Sequence, residues 1–433
     1  MDRHAFRSLD AWKRNPTRKP LVVRGARQVG KTWLLNEFGR TRYQRVAYVD
    51  CQREKSVASV FAGDLDPDHL LRGLAVATRT PIDPATTLLV IDEIQEVPEA
   101  LTSLKYFAED RPDIHLAVAG SLVGLAIRAS TAFPVGKVNF LDLHPLDFDE
   151  FLRGRGEDQL GDLVLSQDWG QIHSFRDRLI EMLRQYMFVG GMPEVVARFA
   201  AGESYELVRS LQLDILRGYE SDFAKHASPV VSRRISQVWT ALPAQLAREN
   251  KRFILGRVRE DARARDYEDA IQWLNDAGLV HKVNRYTKPA QPARAYEDPK
   301  IFKLFLHDVG LLGALSGLQA SVLLEGAGIF EEFKGSLTEQ YVLQQIVAAQ
   351  NTTPMYWSPE NAHAEVDFAV ERAYELIPVE VKAEVNVKAK SLRSYINRFR
   401  PAEAWRFSLA DFRQQEDLVN VPLYAIGPWL GVR

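Results

Sequence analysis

The chain has 433 residues, of which 46% are hydrophobic and 26% charged, and its formal net charge is −2 at pH 7. This composition is typical of globular proteins of about two to four domains, and it excludes global disorder and a uniformly basic nucleic-acid coat. The single cysteine, Cys51, excludes an internal disulfide and is typical of a reducing compartment. No apolar run reaches the length of a membrane span and the first residues lack a secretion signal, so we expect a cytoplasmic protein without membrane contacts.

The first 150 residues alternate predicted strands and helices. The predicted strands are 20–24, 45–50, 87–92, 114–120 and 137–143, and the predicted helices are 31–39, 66–78 and 98–109. This alternation predicts an α/β fold with a mostly parallel sheet, right-handed crossovers and helices on both faces.

A phosphate-binding motif lies between the first strand and the first long helix. It reads Gly25-Ala26-Arg27-Gln28-Val29-Gly30-Lys31-Thr32 and matches G-x-x-x-x-G-K-[ST] at every fixed position. The glycines let backbone N–H groups turn toward phosphate oxygens, and the helix N-terminus adds partial positive charge. We expect Lys31 to contact the β- and γ-phosphates of ATP and Thr32 to bind Mg²⁺. Residues 1–150 are therefore predicted to be a P-loop ATPase domain.

Two later strands supply further candidates for this site. The apolar run 88–91 ends in Asp92 and Glu93, at the strand end where α/β sheets bind ligands. We expect Asp92 to hold Mg²⁺ through water and Glu93 to act as the catalytic residue that polarises the attacking water. Ser121 follows the strand 114–120. In AAA-type P-loop ATPases a polar residue at this place contacts the γ-phosphate or its water, and Ser121 is the candidate here. A plain strand-ending turn is the alternative interpretation.

The middle of the chain is predicted to be helical, with a lid at 151–225 and a winged-helix-like region at 226–290. A helix at 267–277, Gly278 and a strand from Leu279 resemble the back half of a winged helix. Five arginines lie on or before that helix: Arg252, Arg257, Arg259, Arg263 and Arg265. They could contact the phosphates of duplex DNA, form a solvated face with the interleaved acids, or belong to a lid between subunits.

The region 291–433 carries a second group of candidate residues. Two predicted strands, 365–370 and 377–383, can pair through a turn, and Glu380 and Lys382 then share one strand face beside Asp367. An amphipathic helix at 336–348 bears Glu339. Glu339, Asp367 and Glu380 are hard oxygen ligands suited to Mg²⁺, and Lys382 is the candidate catalytic lysine. The alternative is an edge hairpin with a surface Glu–Lys pair.

This order of acids and lysine resembles the core of PD-(D/E)XK nucleases. A predicted basic helix that could track a phosphate backbone follows it and carries Lys388, Lys390, Arg393, Arg398 and Arg400.

Taken together, the motifs resemble a large prokaryotic family of AAA-type ATPases whose C-terminal part is a domain of unknown function. The resemblance rests on residues 24–32, 91–95, 120–121, 144–151, 190–193, 303–310 and 365–382. It implies an ATPase core, a helical lid, a winged-helix-like region and a C-terminal restriction-endonuclease-like fold. AAA-type sites usually lie between subunits, so the resemblance also implies a homo-oligomer.

One departure concerns the basic residues of the family. Its members commonly carry Gly-Arg where this chain has Gly136-Lys137. A lysine lacks the guanidinium fork, so if the arginine of the family senses phosphate, Lys137 would do so more weakly. No arginine finger can be assigned, and Arg128 is the nearest candidate.

Two principal functions fit these patterns. The first is an ATP-driven enzyme that acts on branched or broken DNA ends with a metal-dependent nuclease-like domain. The second is a signalling or scaffold ATPase in which the nucleotide switches assembly and the C-terminal domain only binds; a toxin- or defence-linked switch is a third. The combination of Asp367, Glu380 and Lys382 favours the first function, and the slightly acidic net charge favours the second.

Overall fold

The computed structural model describes residues 3–129, 136–248, 251–258, 263–321, 331–359, 364–372, 374–383 and 390–431. The chain divides into two compact units. The N-terminal unit contains residues 3–144 and 276–278, and the C-terminal unit contains residues 145–275 and 279–433. In the described part, no helix combines the length and apolar character that a bilayer crossing needs.

The N-terminal unit is built on a parallel five-stranded sheet in the order β2-β3-β4-β1-β5. Its strands are β1 (Leu21–Arg24), β2 (Arg45–Asp50), β3 (Thr87–Asp92), β4 (His115–Ala119) and β5 (Asn139–Asp142). Every residue of β3 and β4 is buried, because helices cover both faces of the sheet centre. The predicted α/β class and all five predicted strands are confirmed.

Six helices accompany this sheet, and the three that the sequence predicted between the strands are confirmed. They are α1 (Ala5–Arg14), α2 (Lys31–Arg42), α3 (Lys55–Phe61), α4 (Pro67–Thr78), α5 (Pro98–Asp110) and α6 (Val123–Ala129). Helices α4 and α5 begin with proline, which has no N–H to leave unpaired at that position. Asp66 caps α4 by accepting a hydrogen bond from the His69 N–H at 2.9 Å.

Helices also dominate the first half of the C-terminal unit. They are α7 (Phe148–Gly154), α8 (Asp158–Ser166), α9 (Trp169–Ser174), α10 (Arg176–Val189), α11 (Pro193–Ala200), α12 (Tyr205–His226), α13 (Pro229–Leu246) and α14 (Ala264–Asp276). The composition Asp-Gln-Leu-Gly-Asp at 158–162 is typical of a flexible loop, but these residues begin α8. Leu160 and Val164 are one helical turn apart and both buried, so packing overrides the loop-like composition.

The eight-stranded sheet of this unit has the order β12-β13-β11-β10-β9-β8-β6-β7 and mixes parallel with antiparallel pairs. Its strands are β6 (Val280–Tyr286), β7 (Glu297–Leu306), β8 (Met355–Trp357), β9 (Val366–Arg372), β10 (Glu375–Val381), β11 (Ala404–Ser408), β12 (Arg413–Gln414) and β13 (Leu418–Pro422). The remaining helices are α15 (Val309–Leu315), α16 (Glu331–Gln350), α17 (Lys390–Phe399) and α18 (Ile426–Leu430). The predicted β9–β10 hairpin is confirmed.

The sheet crosses the domain boundary that the sequence predicted at residue 290. Helix α14, Gly278 and the β6–β7 hairpin follow one another as expected, but β6 also pairs in parallel with β8. The hairpin therefore forms two strands of the C-terminal sheet. A parallel pairing between distant segments leaves no local sequence signal.

Helix α16 is a buried central helix, so its predicted amphipathic character is wrong. Residues 336–347 are all buried. Its glutamines satisfy backbone groups of other elements: the Leu306 N–H donates to Gln340 Oε1 at 3.0 Å, and the Val309 N–H donates to Gln344 Oε1 at 3.0 Å. Because these polar side chains are paired, the helix can be buried on all sides.

Candidate functional site

The P-loop follows β1 and turns into α2 through two glycines with positive φ. Gly25 has φ 143°, and a Cβ there would lie 2.2 Å from the Leu143 carbonyl oxygen. Gly30 has φ 93° and precedes the first residue of α2. Only glycine fits these positions without strain, so the two fixed glycines of the motif shape the loop.

Lys31 lies buried inside the loop, where its ammonium group is bound by backbone oxygens. Nζ donates to the carbonyl oxygens of Gly25 and Ala26, both at 2.8 Å. Burial lowers the pKa of Lys31 to about 8, although the nearby carboxylates of Glu93 and Asp92 oppose the shift. The loop therefore holds a desolvated cation at the place where the motif predicts phosphates.

Asp92, at the end of β3, is hydrogen-bonded to the other predicted Mg²⁺ ligand. Thr32 Oγ1 donates to Asp92 Oδ2 at 2.5 Å, and the Tyr48 hydroxyl donates to the same oxygen at 3.0 Å. The Glu93 N–H donates to Asp92 Oδ1 at 2.9 Å. Sequence reasoning missed Tyr48; its position on β2, next to β3, becomes informative only once the strand order is known.

Glu93 is held by two neighbours at the ends of β3 and β4. Its Oε2 accepts hydrogen bonds from Gln95 Nε2 at 2.5 Å, from the Ser121 N–H at 3.2 Å and from Ser121 Oγ at 3.0 Å. Glu93 itself has φ 47°, an unusual conformation for a residue with a side chain. The structure thus brings Ser121 to Glu93, and it adds Gln95, which sequence reasoning missed.

A tight approach of backbone to side chain positions Gln95. A Cβ at Gly120 would lie 1.9 Å from Gln95 Oε1, so a side chain there would displace the Gln95 amide. Gln95 Oε1 is buried and accepts no hydrogen bond from any described residue. Gly120 therefore matters for the space that it leaves to the Gln95 amide.

Part of the P-loop is exposed to solvent, and a residue near the N-terminus, Arg3, is hydrogen-bonded to the loop. Arg27 and Gln28 are exposed, and Gln28 has φ 67°. Val29 is buried, and its carbonyl oxygen accepts a hydrogen bond from Arg3 Nη1 at 3.3 Å. Arg3 Nη2 donates to the carbonyl oxygen of His144 at 2.7 Å. Arg3 thus links the P-loop to the segment after β5, a role that the sequence did not indicate.

The structure does not bring Lys137 to this site. Lys137 precedes β5, at the amino ends of the parallel strands, whereas the P-loop follows the carboxyl end of β1. Its Nζ is paired with Glu109 at 2.9 Å. The expectation that Lys137 senses phosphate in its own chain is therefore wrong. Arg128 lies in α6, and its side chain is outside the described part.

The predicted residues of the C-terminal unit do come together. Phe368 and Val379 are paired across β9 and β10, so Asp367 lies beside Glu380. Asp367 Oδ2 accepts a hydrogen bond from the Val381 N–H at 2.7 Å, and Lys382 Nζ is paired with Glu380 at 2.6 Å.

Three further charged residues, which sequence reasoning missed, join this group. Lys251 Nζ is paired with Glu339, Lys303 Nζ is paired with Glu365, and Lys303 also lies 3.9 Å from Glu339. Lys303 is fully buried. We call the seven residues the carboxylate–lysine cluster: Lys251, Lys303, Glu339, Glu365, Asp367, Glu380 and Lys382.

The pKa shifts in the cluster follow from burial and from mutual charge. Burial raises the pKa of Asp367 well above its usual range, and Glu339 and Glu380 raise it further. Burial also raises the pKa of Glu380, while Lys382 opposes the shift. For Glu339 burial acts in the same direction, but Lys251 and Lys303 outweigh it and lower the pKa. Asp367 is thus the carboxyl group that most favours its protonated form.

The donor set of the cluster fits a metal ion only in part. Glu339 Oε2 and Glu380 Oε2 are buried and accept no hydrogen bond from the residues that the structure describes. Within the same residues, however, no three Asp, Glu, His or Cys side chains are arranged as ligands of one metal. The lysines neutralise most of the carboxylate charge. Mg²⁺ binding by Glu339, Asp367 and Glu380 stays a prediction.

The two predicted basic surfaces are described in part. Lys390, Arg393 and Arg398 lie on α17 and Arg400 follows it, whereas Lys388 is outside the described residues. Arg263 and Arg265 are exposed at the start of α14. Arg252 and Arg257 lie on the preceding segment, and Arg259 is outside the described residues. DNA contact by either surface stays a prediction.

Three family models match separate parts of the chain. Residues 17–152 match an AAA domain, residues 180–322 match a domain of unknown function (DUF8612), and residues 334–425 match another domain of unknown function (DUF4143). No curated protein matches the chain. With the P-loop geometry, the first match identifies the N-terminal unit as a P-loop AAA-type ATPase domain.

Solved structures with similarity to the chain are distant. A Walker-type ATPase of Pyrococcus abyssi is 13% identical over 72% of this chain and 94% of that chain, with a TM-score of 0.46. The Orc1 protein of Aeropyrum pernix, solved in complex with DNA, is 13% identical over 72% and 91%, with a TM-score of 0.29. A signal transduction ATPase with a tetratricopeptide repeat sensor from Pyrococcus horikoshii is 10% identical over 81% and 47%, with a TM-score of 0.28.

Proposed function

We propose that this protein hydrolyses ATP in its N-terminal unit and acts on DNA, at branched or broken ends, through its C-terminal unit. The observation that carries the first half is the hydrogen bond between Thr32 and Asp92 beside the buried Lys31 ammonium group. Thr32 and Asp92 offer the oxygen ligands that Mg²⁺ prefers, and Lys31 offers the countercharge for phosphate oxygens. The second half is supported by the composition of the carboxylate–lysine cluster.

At the P-loop, a bound Mg²⁺ would be held by Thr32 and Asp92 and would neutralise charge on the β- and γ-phosphates. Lys31 exchanges its hydrogen bonds with Gly25 and Ala26 for phosphate oxygens when the nucleotide enters. Glu93 orients and polarises the attacking water. Gln95 and Ser121 hold its carboxylate in place, and Ser121 is also the candidate for contact with the γ-phosphate.

In the C-terminal unit, a metal ion would be held by Glu380, Asp367 and Glu339 and would act as a Lewis acid on a phosphodiester. This assignment is supported by Glu339 Oε2 and Glu380 Oε2, which are buried and accept no hydrogen bond from the described residues. Asp367 would be a ligand in its deprotonated form, because a bound cation would offset the repulsion among the carboxylates. Lys382 stabilises charge that develops on the phosphate. The basic surfaces on α17 and before α14, the latter in a winged-helix-like region, would contact the DNA backbone.

The test uses the full chain with linear, forked and four-way DNA, in Mg²⁺ and in Mn²⁺. We expect Glu93→Gln to bind ATP normally but to lose turnover by about 10²-fold or more, since the general base is removed. Glu96→Gln is the matched control, because Glu96 is an exposed acid three residues away. We expect Glu380→Ala to abolish DNA cleavage and to leave the ATPase rate intact. ATP turnover by Glu93→Gln at the wild-type rate would contradict the assignment of the base.

A second candidate function is a nucleotide-switched signalling or scaffold ATPase with a C-terminal unit that binds without cleaving. The observation that favours it is the pairing of the carboxylates with Lys251, Lys303 and Lys382. This function predicts that wild type cuts no DNA or RNA with either metal, while ATP still changes its assembly state. Cleavage that Glu380→Ala removes would exclude it.

A further inference from the structure

A cavity of about 340 Å³ lies in the C-terminal unit, between α17 and the edge of the sheet formed by β11, β12 and β13. We call it the arginine pocket. Its lining consists of three arginines, three branched aliphatic side chains and Gln415. The arginines and the aliphatic residues are Arg393, Arg406, Arg413, Leu392, Ile396 and Leu418.

Strand register and helix spacing explain why these residues meet. Arg406 is paired with Asn420 across β11 and β13, and Asn420 is paired with Arg413 across β12. Side chains paired in this way lie on one face of a sheet, so Arg406 and Arg413 face the same side. Leu392 and Ile396, one turn apart, are two of the buried residues of α17 and pack on this face. The pocket is thus built by the fold.

The three arginines of the pocket differ in their partners. Arg393 is paired with Asp417 at 3.4 Å, and Arg406 Nε donates to Asn420 Oδ1 at 2.8 Å. Arg413 has no ion pair with any residue in the described part of the chain. Burial lowers the pKa of Arg406, the nearby Glu380 opposes this shift, and the like charge of Arg413 adds to it. An anion between the guanidinium groups would relieve the repulsion of Arg406 and Arg413.

The volume and the lining of the arginine pocket indicate which class of anion it binds. The volume is near the lower end of the range of about 300–1,000 Å³ that is usual for small-ligand pockets, so a nucleotide-sized group fits better than a large cofactor. Guanidinium forks match the oxygens of phosphate, and the aliphatic wall suits a sugar or base. A phosphomonoester carries about −1.5 to −2 charge and three acceptor oxygens, more than an internal phosphodiester offers.

The position of the pocket relates it to the carboxylate–lysine cluster. Arg406 is paired with Glu380 across β11 and β10, so the pocket begins one strand away from the cluster, a spacing of about 4.8 Å. A nucleotide in the pocket would place the adjoining strand over Glu380. We infer that the arginine pocket binds the terminal phosphate of a DNA strand. The choice of DNA rests on the proposed function; the preference for a phosphomonoester rests on the pocket alone.

Binding is measured by fluorescence anisotropy on the full chain with Lys31→Ala, in EDTA and without ATP, so that neither the P-loop nor cleavage contributes. The probes are one DNA strand with terminal hydroxyls and the same strand with a 5′-phosphate or a 3′-phosphate. We expect about tenfold tighter binding of one phosphorylated strand. Arg413→Gln should remove most of that preference, because the terminal phosphate loses one of its guanidinium partners, and the variant should fold as wild type does, since Arg413 lies on an exposed edge strand. Arg217→Gln, an exposed arginine on α12, is the control.

Competition experiments distinguish the phosphate of a DNA terminus from free phosphate and from a mononucleotide. Inorganic phosphate and a deoxynucleoside 5′-monophosphate should displace the phosphorylated strand only at concentrations far above the strand's own dissociation constant. Equal affinity for all three strands overturns the inference, as does a preference that Arg413→Gln retains. Displacement by the mononucleotide at the strand's own dissociation constant overturns the choice of DNA. Because the assay needs no turnover, a protein without nuclease activity could still support the arginine pocket.

Discussion

At the scale of single residues, burial of Lys31 disfavours the charged form of its ammonium group. Its pKa of about 8 lies below the ordinary value of 10.5, so the unfolded chain binds more protons between these two values. Burial of Lys31 therefore costs stability below pH 8, and the cost is relieved as pH rises from 8 toward 10.5. Bound phosphates favour the charged form and restore the proton.

This linkage predicts a pH dependence of ATP binding. Above pH 8 the free protein loses the Lys31 proton, so binding should take up a proton and affinity should fall by up to about tenfold per pH unit. Titration calorimetry at pH 9, in buffers of different ionisation enthalpy, measures the uptake. Lys31→Ala should bind no ATP. An affinity that is constant from pH 7 to pH 10, or tight binding by Lys31→Ala, would contradict this role.

At the scale of elements, the segment after β3 packs against the segment after β4 through one side chain, that of Gln95. Gln95 follows β3 and reaches Glu93, while Gly120 follows β4 and leaves the space that the Gln95 amide needs. The position of the Glu93 carboxylate, the proposed catalytic group, thus depends on how closely two strand ends approach.

We predict that Gly120→Ala slows ATP turnover by roughly tenfold with little effect on ATP affinity. The new methyl group would meet Gln95 Oε1 and displace the amide from Glu93, which weakens the positioning of the base. Gly63→Ala is the control, because a Cβ at Gly63 meets nothing within 4 Å. Steady-state kinetics separate kcat from KM. A twofold or smaller change in kcat would show that Gln95 does not position Glu93.

A second contact between elements joins the turn after α10 to the start of α15. Asp308 accepts hydrogen bonds from the Gly191 N–H at 2.6 Å and from the Leu311 N–H at 2.9 Å. Gly190 has φ 73°, and a Cβ there would lie 2.2 Å from Asp308 Oδ1. The Gly-Gly pair therefore permits a buried carboxylate to bridge two elements.

Gly190→Ala should destabilise the protein by about 3 kcal/mol or more, since backbone strain adds to the loss of a buried hydrogen bond. Gly202→Ala is the matched control. Gly202 also has positive φ, at 90°, but a Cβ there meets nothing within 4 Å, so we expect about 1 kcal/mol from strain alone. Denaturant unfolding monitored by circular dichroism compares the two. Equal losses would mean that Asp308 contributes nothing at this turn.

At the scale of the whole molecule, the P-loop site has no assigned arginine finger, because the side chain of Arg128, the nearest candidate, lies outside the described residues. Lys137 is paired with Glu109 at the amino ends of the strands, whereas the P-loop lies at their carboxyl ends. In AAA-type ATPases a neighbouring subunit usually supplies the basic residue, and this is the reason to propose a homo-oligomer.

Self-association should therefore depend on the nucleotide. We expect light scattering to report a larger mass with a non-hydrolysable ATP analogue than without nucleotide, and Lys31→Ala to remove the difference. Glu93→Gln should assemble with ATP itself, since it binds without turnover. A monomer under all of these conditions would count against an intersubunit site.

Much of the fold could be read from local patterns. The strands of the parallel sheet, the P-loop and the β9–β10 hairpin are contiguous segments whose periodicity and flanking residues are specific. For the same reason Lys31, Thr32, Asp92 and Glu93 could be assigned in advance, and the pairing of Asp367 with Glu380 follows from one hairpin register. These features depend on covalent geometry and on side-chain alternation, which act within a few residues.

Other features depend on which distant segments meet, and only the tertiary structure decided them. Ser121 reaches Glu93 because β3 and β4 are neighbours. Lys251 and Lys303 neutralise the carboxylates because their segments reach α16 and β9. The buried glutamines of α16 and the arginine pocket follow likewise from strand order and helix packing. A sequence carries no local sign of a long-range parallel pairing or of a buried polar partner, because the free energy of those contacts arises only when the chain has assembled.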